Sequence, residues 1–225
     1  MLANAVSRSV SQLLSAPFRS VLWKSLGLTI VLLIGLWFLL ETLVSTFLMP
    51  FLGPWPWLTT ALSWLLGAGL LVGMGFLIAP VTSIFAGVFL DDVAAEVERQ
   101  YYPDDTPGTE VPMAQSIGIA LRFFGLVLLA NLVALMLVLF LGLGVIVFFV
   151  VNGYLLGREY FQFAALRHVT LEQAEELRQR HKLTIFLGGL LIAGLVSIPF
   201  VNLLTPLFAG ALMLHVFKYV ERKRN

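Results

Sequence analysis

Four ionisable residues stand inside apolar stretches of this 225-residue chain: Glu41, Arg122, Arg158 and Glu159. Two more, Arg19 and Lys24, stand where the first such stretch begins. Four of these six are cationic, a set suited to guiding an anion through an apolar phase. A charged side chain deep in a bilayer costs about 2.5–3.5 kcal/mol on insertion scales, so such residues usually face protein or water. Each also has a plainer reading. Lys24 can snorkel to the headgroups. Glu41 can sit at an interface, since a straight helix puts it about 12 Å before Met49. Arg158-Glu159 can close a span, and Asn131, Asn152 and Asn202 can bond between helices. Catalytic chemistry has no visible carrier: there is no nucleophile–base pair, His-Glu-x-x-His or Walker-type loop. His168, His181 and His215 lack metal-ligand spacing. Cysteine is absent, which removes thiol catalysis and disulfides. No enzyme activity, metal or cofactor is expected.

The elements that must hold these charges are membrane helices. Six apolar segments cover residues 25–49, 57–80, 113–140, 144–166, 184–198 and 203–217. The turns after the first, third and fifth (Pro50–Pro56, Leu141–Leu143, Pro199–Asn202) carry no Lys, Arg, Asp or Glu. Nearly every charge falls in the N-terminus, the 91–112 connection, the 167–182 connection or Glu221-Arg222-Lys223-Arg224. A full bilayer crossing needs about 20 apolar residues, and Lys and Arg gather on the cytoplasmic side. Both termini and both long connections are therefore expected inside. Composition agrees: 59% of residues are hydrophobic and 12% charged, against about 45–50% and about 25% in a soluble domain. A net charge of +1, with no basic run interleaved with aromatics, argues against nucleic acid as a partner. The first apolar stretch is longer than the ~7–15-residue core of a signal peptide and has no small-residue cleavage site, so it is expected to stay as a span.

Local signals refine this outline. Leu2, Val6, Val10, Leu13 and Leu14 recur at helical spacing, so residues 1–15 read as an amphipathic helix in the headgroup plane. Pro17 ends it and suits the first turn of the next helix. Trp55 and Trp57 beside turn prolines mark a membrane–water interface. Gly67, Gly69, Gly73 and Gly75 allow close helix contact. Pro80 is expected to kink the second helix. An amphipathic stretch continues from it, with Phe85, Phe89, Val93 and Val97 on one face and Asp92, Glu96 and Arg99 away from it. Thr170-Leu-Glu-Gln173 resembles a capping box opening a polar helix that runs to about Lys182. The last two segments form a hairpin around Pro199–Pro206. Helices of about 15 residues rise only ~22 Å, short of the ~30 Å hydrocarbon core. The final hairpin is expected to be partly inserted; the alternative is two shortened spans with local thinning.

Three ordered stretches carry a family likeness: Ser15-Ala-Pro17-Phe-Arg19; Ile78-Ala-Pro80 leading into Phe89-Leu-Asp-Asp-Val-Ala-Ala-Glu-Val-Glu98; and Ile198-Pro199-Phe-Val-Asn202-Leu-Leu-Thr-Pro206. Gly153-Tyr-Leu-Leu-Gly-Arg158-Glu-Tyr160 is similar to one branch of the same family. The chain resembles the CysZ family of bacterial sulfate permeases over nearly its full length. The resemblance implies an all-α integral membrane protein with two long bent helices, two helical hairpins that enter the bilayer partly, and short interfacial helices; by length the last hairpin agrees, whereas segments three and four look long enough to span. In those terms residues 1–225 form a single membrane domain: an interfacial helix 1–15, two long helices 16–102, a hairpin 113–168, an amphipathic helix 170–182 and a second hairpin 184–223. It implies a homo-oligomer in the bacterial inner membrane, moving sulfate or a similar oxyanion inward for sulfur assimilation. It places the substrate at the turn Pro17, Phe18, Arg19 and Ser20. Arg19 stands for the first arginine of the family's Gly-Leu/Ile-Arg-Arg turn, and Ser20 replaces the second. A helix N-terminus and an arginine fork both suit an oxyanion. Lys24, Arg122, Arg158 and Asn202 are candidates for the rest of the anion's route. The competing expectation is a non-transport scaffold that shapes the bilayer; such a protein needs no interior charge.

Overall fold

The computed structural model describes residues 1–52, 55–110, 112, 144–198 and 201–223. Among them there are helices and turns but no strand. Residues 113–143, and with them the third apolar segment, Arg122 and Asn131, lie outside the described residues. The protein is an all-α integral membrane protein. Three helical stretches are long and apolar enough to cross a bilayer: Ala16–Phe51, Pro56–Gly75 and Val201–Arg222.

Helix α1 covers Leu2–Leu13 and α2 covers Ala16–Leu43. The break between them falls where Pro17 is expected to restart the helix, with Ser15 extended at the N-cap. A π turn, Val44–Leu48, interrupts α2 before one more α turn, Met49–Leu52. Helix α3, Pro56–Val88, runs back antiparallel against α2. Phe18, Val21, Ser25, Thr29 and Leu33 form the buried stripe of α2 at three- and four-residue spacing. Beyond Leu33 no residue of α2 is buried, and Trp23, Phe38, Trp57 and Trp64 are bare. An apolar surface of that extent suits lipid. Inside the pair, Thr82 Oγ1 donates to Thr29 Oγ1 at 3.0 Å.

Helix α3 carries through Pro80 unbroken and stops at Phe89, where φ is −96° and ψ 13°. An interior proline removes a single helix hydrogen bond, which neighbouring groups in a membrane helix can offset. Helix α4, Leu90–Tyr101, follows, with Val93, Ala94, Val97 and Glu98 buried. Helix α5 covers Gly144–Leu166, α6 covers Leu171–Arg180 and α7 covers Lys182–Val196. The capping box opens α6. Gln173 N–H donates to Thr170 Oγ1 at 3.4 Å, and Thr170 N–H donates to Gln173 Oε1 at 3.2 Å.

Helices α5 and α7 touch through glycine. A Cβ on Gly157 would lie 2.6 Å from the Ile185 carbonyl oxygen, and one on Gly153 would lie 2.7 Å from Leu190 Cδ2. Gly189 faces both, since its own Cβ would stand 2.8 Å from Gly157 Cα. Small residues four apart let two backbones approach in this way. A 3₁₀ turn, Val201–Leu204, then leads into α8, Thr205–Arg222.

Helix α8 is the centre of the molecule. Every residue from Thr205 to Lys218 is buried, and α1, α3, α4, α5 and α7 all pack on it. Helix α1 is among those that pack on α8, with Leu2, Val6 and Leu13 partly buried against the core. Ala5, Ser9 and Gln12 face the protein, while Val10 and Leu14 are bare. Ser9 Oγ donates to Ala5 O at 2.8 Å and Gln12 Nε2 to Gln100 Oε1 at 3.1 Å, while Gln12 Oε1 is buried without a partner among the described residues. Bonded polar groups are compatible with burial, so α8 competes with lipid for this helix.

Candidate functional site

The start of α2 has the local chemistry of an anion site, with one change from expectation. Arg19 N–H is already used, donating to Ser15 O at 3.0 Å. The open donors of this turn are Ala16 and Phe18, since Pro17 has no N–H. Ser15 makes no side-chain cap, and its Oγ is buried without a partner among the described residues. Phe18 is 1% exposed and sits in the core, so its side chain anchors the turn and does not contact a solute. Arg19 and Ser20 are exposed. Lys24 is also exposed, with Nζ 5.8 Å from the centre of the Phe89 ring. Neither Arg19 nor Lys24 has a carboxylate partner among the described residues.

The other route candidates are separated by the length of α7. Arg158 lines a cavity of about 330 Å³ with Tyr154, Arg178, Lys182 and apolar side chains from the start of α7. Asn202 lies in the 3₁₀ turn beyond the other end of α7, its N–H donating to Ile198 O at 3.0 Å. Arg122 is outside the described residues.

A buried ionic cluster is not anticipated by the sequence reading. Asp91 and Glu98 are seven apart on α4, which puts both carboxylates on one helical face. Arg167, just past α5, bonds Asp91 through Nη1 and Glu98 through Nε at 3.3 Å. His168 Nε2 lies 3.0 Å from Glu98 Oε1, and its ring stacks on Phe217 with centroids 5.2 Å apart. Gly108 N–H donates to Glu98 Oε2 at 3.1 Å. Burial pushes the Glu98 carboxyl up. The bonds from His168, Arg167 and Gly108 outweigh it and bring the carboxyl down to about 2. Nearby, Lys218 Nζ lies 3.2 Å from Asp105 Oδ2, and Arg222 Nη2 lies 3.4 Å from Asp105 Oδ1. Burial raises the Asp105 carboxyl, but Lys218 and Arg222 together hold it below the ordinary range. Tyr102 Oη and His215 Nδ1 are 2.8 Å apart. The available sequence signal is the Asp91/Glu98 spacing; its partner, Arg167, lies 69 residues after Glu98.

These pairs border a cleft of about 860 Å³. Its cations Arg167, Lys218 and Arg222 are each matched by a carboxylate, and Asp104 and Glu221 also line it. The cleft therefore offers no excess positive charge. Its chemistry ties the 91–112 connection to α5 and α8. Among the described residues no group of three or more His, Asp or Glu side chains could hold a metal.

A family model described as sulfate transporter CysZ/Etoposide-induced protein 2.4 matches residues 5–206. No curated protein matches the chain.

Proposed function

The chain belongs to the sulfate transporter CysZ/Etoposide-induced protein 2.4 family, and from that premise we propose that it is a permease for sulfate or a similar oxyanion. It works in the bacterial inner membrane, as a homo-oligomer, and supplies sulfur assimilation. The observation that carries the reading is the family match along most of the chain. Two cations at the start of α2, without carboxylate partners among the described residues, support it. Arg19 stands in the first turn of α2, beside the open N–H groups of Ala16 and Phe18, and Lys24 follows in the third turn; a helix N-terminus and nearby cations both favour a tetrahedral anion. The turn Pro17–Ser20 is the entry site. Pro17 and Phe18 set its shape, while Arg19 and Ser20 supply the outward donors. The bare upper half of the α2–α3 pair is the surface through which protomers and lipid meet the protein.

The test is radiolabelled sulfate flux into liposomes holding the purified protein. The expected result is saturable uptake above that of empty liposomes. Folded, inserted protein without sulfate flux would favour the scaffold reading.

A further inference from the structure

We propose that the cavity between α5, the last turn of α6 and the start of α7 binds the headgroup phosphate of an anionic phospholipid. Arg158, Arg178 and Lys182 converge on it from the three helices, with Tyr154 between them. The only carboxylate bonded to these cations among the described residues is Glu175, which takes the Arg178 fork. Arg158 and Lys182 have no such partner there. Arg158 Nε is sealed from water and has no acceptor among the described residues. An unmatched buried donor on a cation leaves bonding capacity that an anionic oxygen can fill. Arg178 Nη1 donates to Tyr154 Oη at 3.4 Å, which leaves the phenol proton for a second acceptor. The three helices thus hold one net positive site shaped for a phosphate.

The apolar surroundings identify the owner of that phosphate. Leu183 and Phe186 wall the cavity, so a free hydrated ion would meet hydrocarbon on one side. Beyond the cations, Leu183, Leu187 and Leu191 run bare along α7, and Val150 is bare on α5. This strip accepts acyl chains while the cations hold the head. Basic pockets between membrane helices on the cytoplasmic side commonly take anionic headgroups. The charge pattern puts the 167–182 connection, and so Arg178 and Lys182, on that side. The proposal stands apart from the transport reading, and it takes Arg158 out of the anion's route.

Native mass spectrometry of the full-length protein in detergent, with phosphatidylglycerol or phosphatidylcholine added, tests it. The expected result is preferential retention of phosphatidylglycerol. The double variant R158Q/K182Q should lose about tenfold or more in apparent phosphatidylglycerol affinity, with phosphatidylcholine binding unchanged. Lys182 is exposed, so K182Q alone carries the same test, with a smaller loss, if the double variant folds poorly. Equal retention of both lipids, or parental phosphatidylglycerol binding by K182Q and by R158Q/K182Q, overturns the proposal. So does displacement of phosphatidylglycerol by sodium sulfate beyond that by sodium chloride at equal ionic strength, because the site would then belong to a free oxyanion.

Discussion

Arg19 and Glu98 are both charged, yet they do opposite work. Arg19 is exposed without a carboxylate among the described residues, whereas Glu98 is buried with three donors. For Arg19→Ala, sulfate binding should weaken by about ten- to a hundredfold, the cost of one hydrogen bond to a charged group. Arg19→Lys should recover part of it, because charge returns without the planar fork. Isothermal titration and liposome flux on folded protein check both, and parental behaviour of Arg19→Ala would reduce it to a topology anchor. Glu98→Gln should destabilise by about 3 kcal/mol, since it strips the buried Arg167 and His168 of a charged partner. The pH dependence follows from the depressed carboxyl. Its stabilisation is complete above the ordinary value of 4.5 and is lost as pH falls toward about 2. Melting curves across that window should fall for the parent and flatten for Glu98→Gln. The start of α2 at Pro17 was legible in sequence because its cue, a proline suited to a helix's first turn, is local. The ionic cluster was not, because its members meet only after α4 and the end of α5 are brought together.

Among the helices, the sharpest contrast is between two sets of glycines. Gly157 packs against the backbone of α7. On α3, by contrast, a Cβ added to Gly67, Gly69, Gly73 or Gly75 would meet nothing within 4 Å among the described residues. Gly157→Ala should therefore cost about 1–3 kcal/mol, as overpacking does. Gly73→Ala should leave the melting temperature unchanged or raise it, given the better helix propensity of alanine. Melting in detergent separates the two. In sequence the α3 glycines read as the close-contact set because they are dense. Density says nothing about where the partner helix runs, and the described contact falls on the sparser Gly153 and Gly157. The α6 capping box was readable because it is complete within four residues. The inner face of α1 was readable in part: Leu2, Val6 and Leu13 of its apolar spacing pack against the core, whereas Ala5, Ser9 and Gln12 are not strongly apolar and become inner only through the presence of α8.

At the scale of the whole molecule, the charge pattern predicts sidedness. A cysteine at Trp55 should react with an impermeant thiol reagent from outside, and one at Asp105 only from inside; equal reactivity from one side removes the arrangement. A cysteine at Val201 should stay shielded from the outer side, because the α7 helix of 15 residues rises only ~22 Å. Ready outer labelling would establish a full crossing instead. The helical class and the two long helices were plain from hydropathy. That the last apolar segment would be the hub was not, since an apolar run reads alike whether lipid or protein surrounds it. The central position of α8 carries a cost in time. It emerges from the ribosome after every other described helix, so α1 and α4 are made long before the surface they dock on exists. Until then the inner face of α1 and the carboxylates of α4 have no finished home. Docking of the first helix on the last therefore waits for the chain to be nearly complete. A chaperone or translocase that releases the chain too early would leave two inserted helices beside an open, hydrated core.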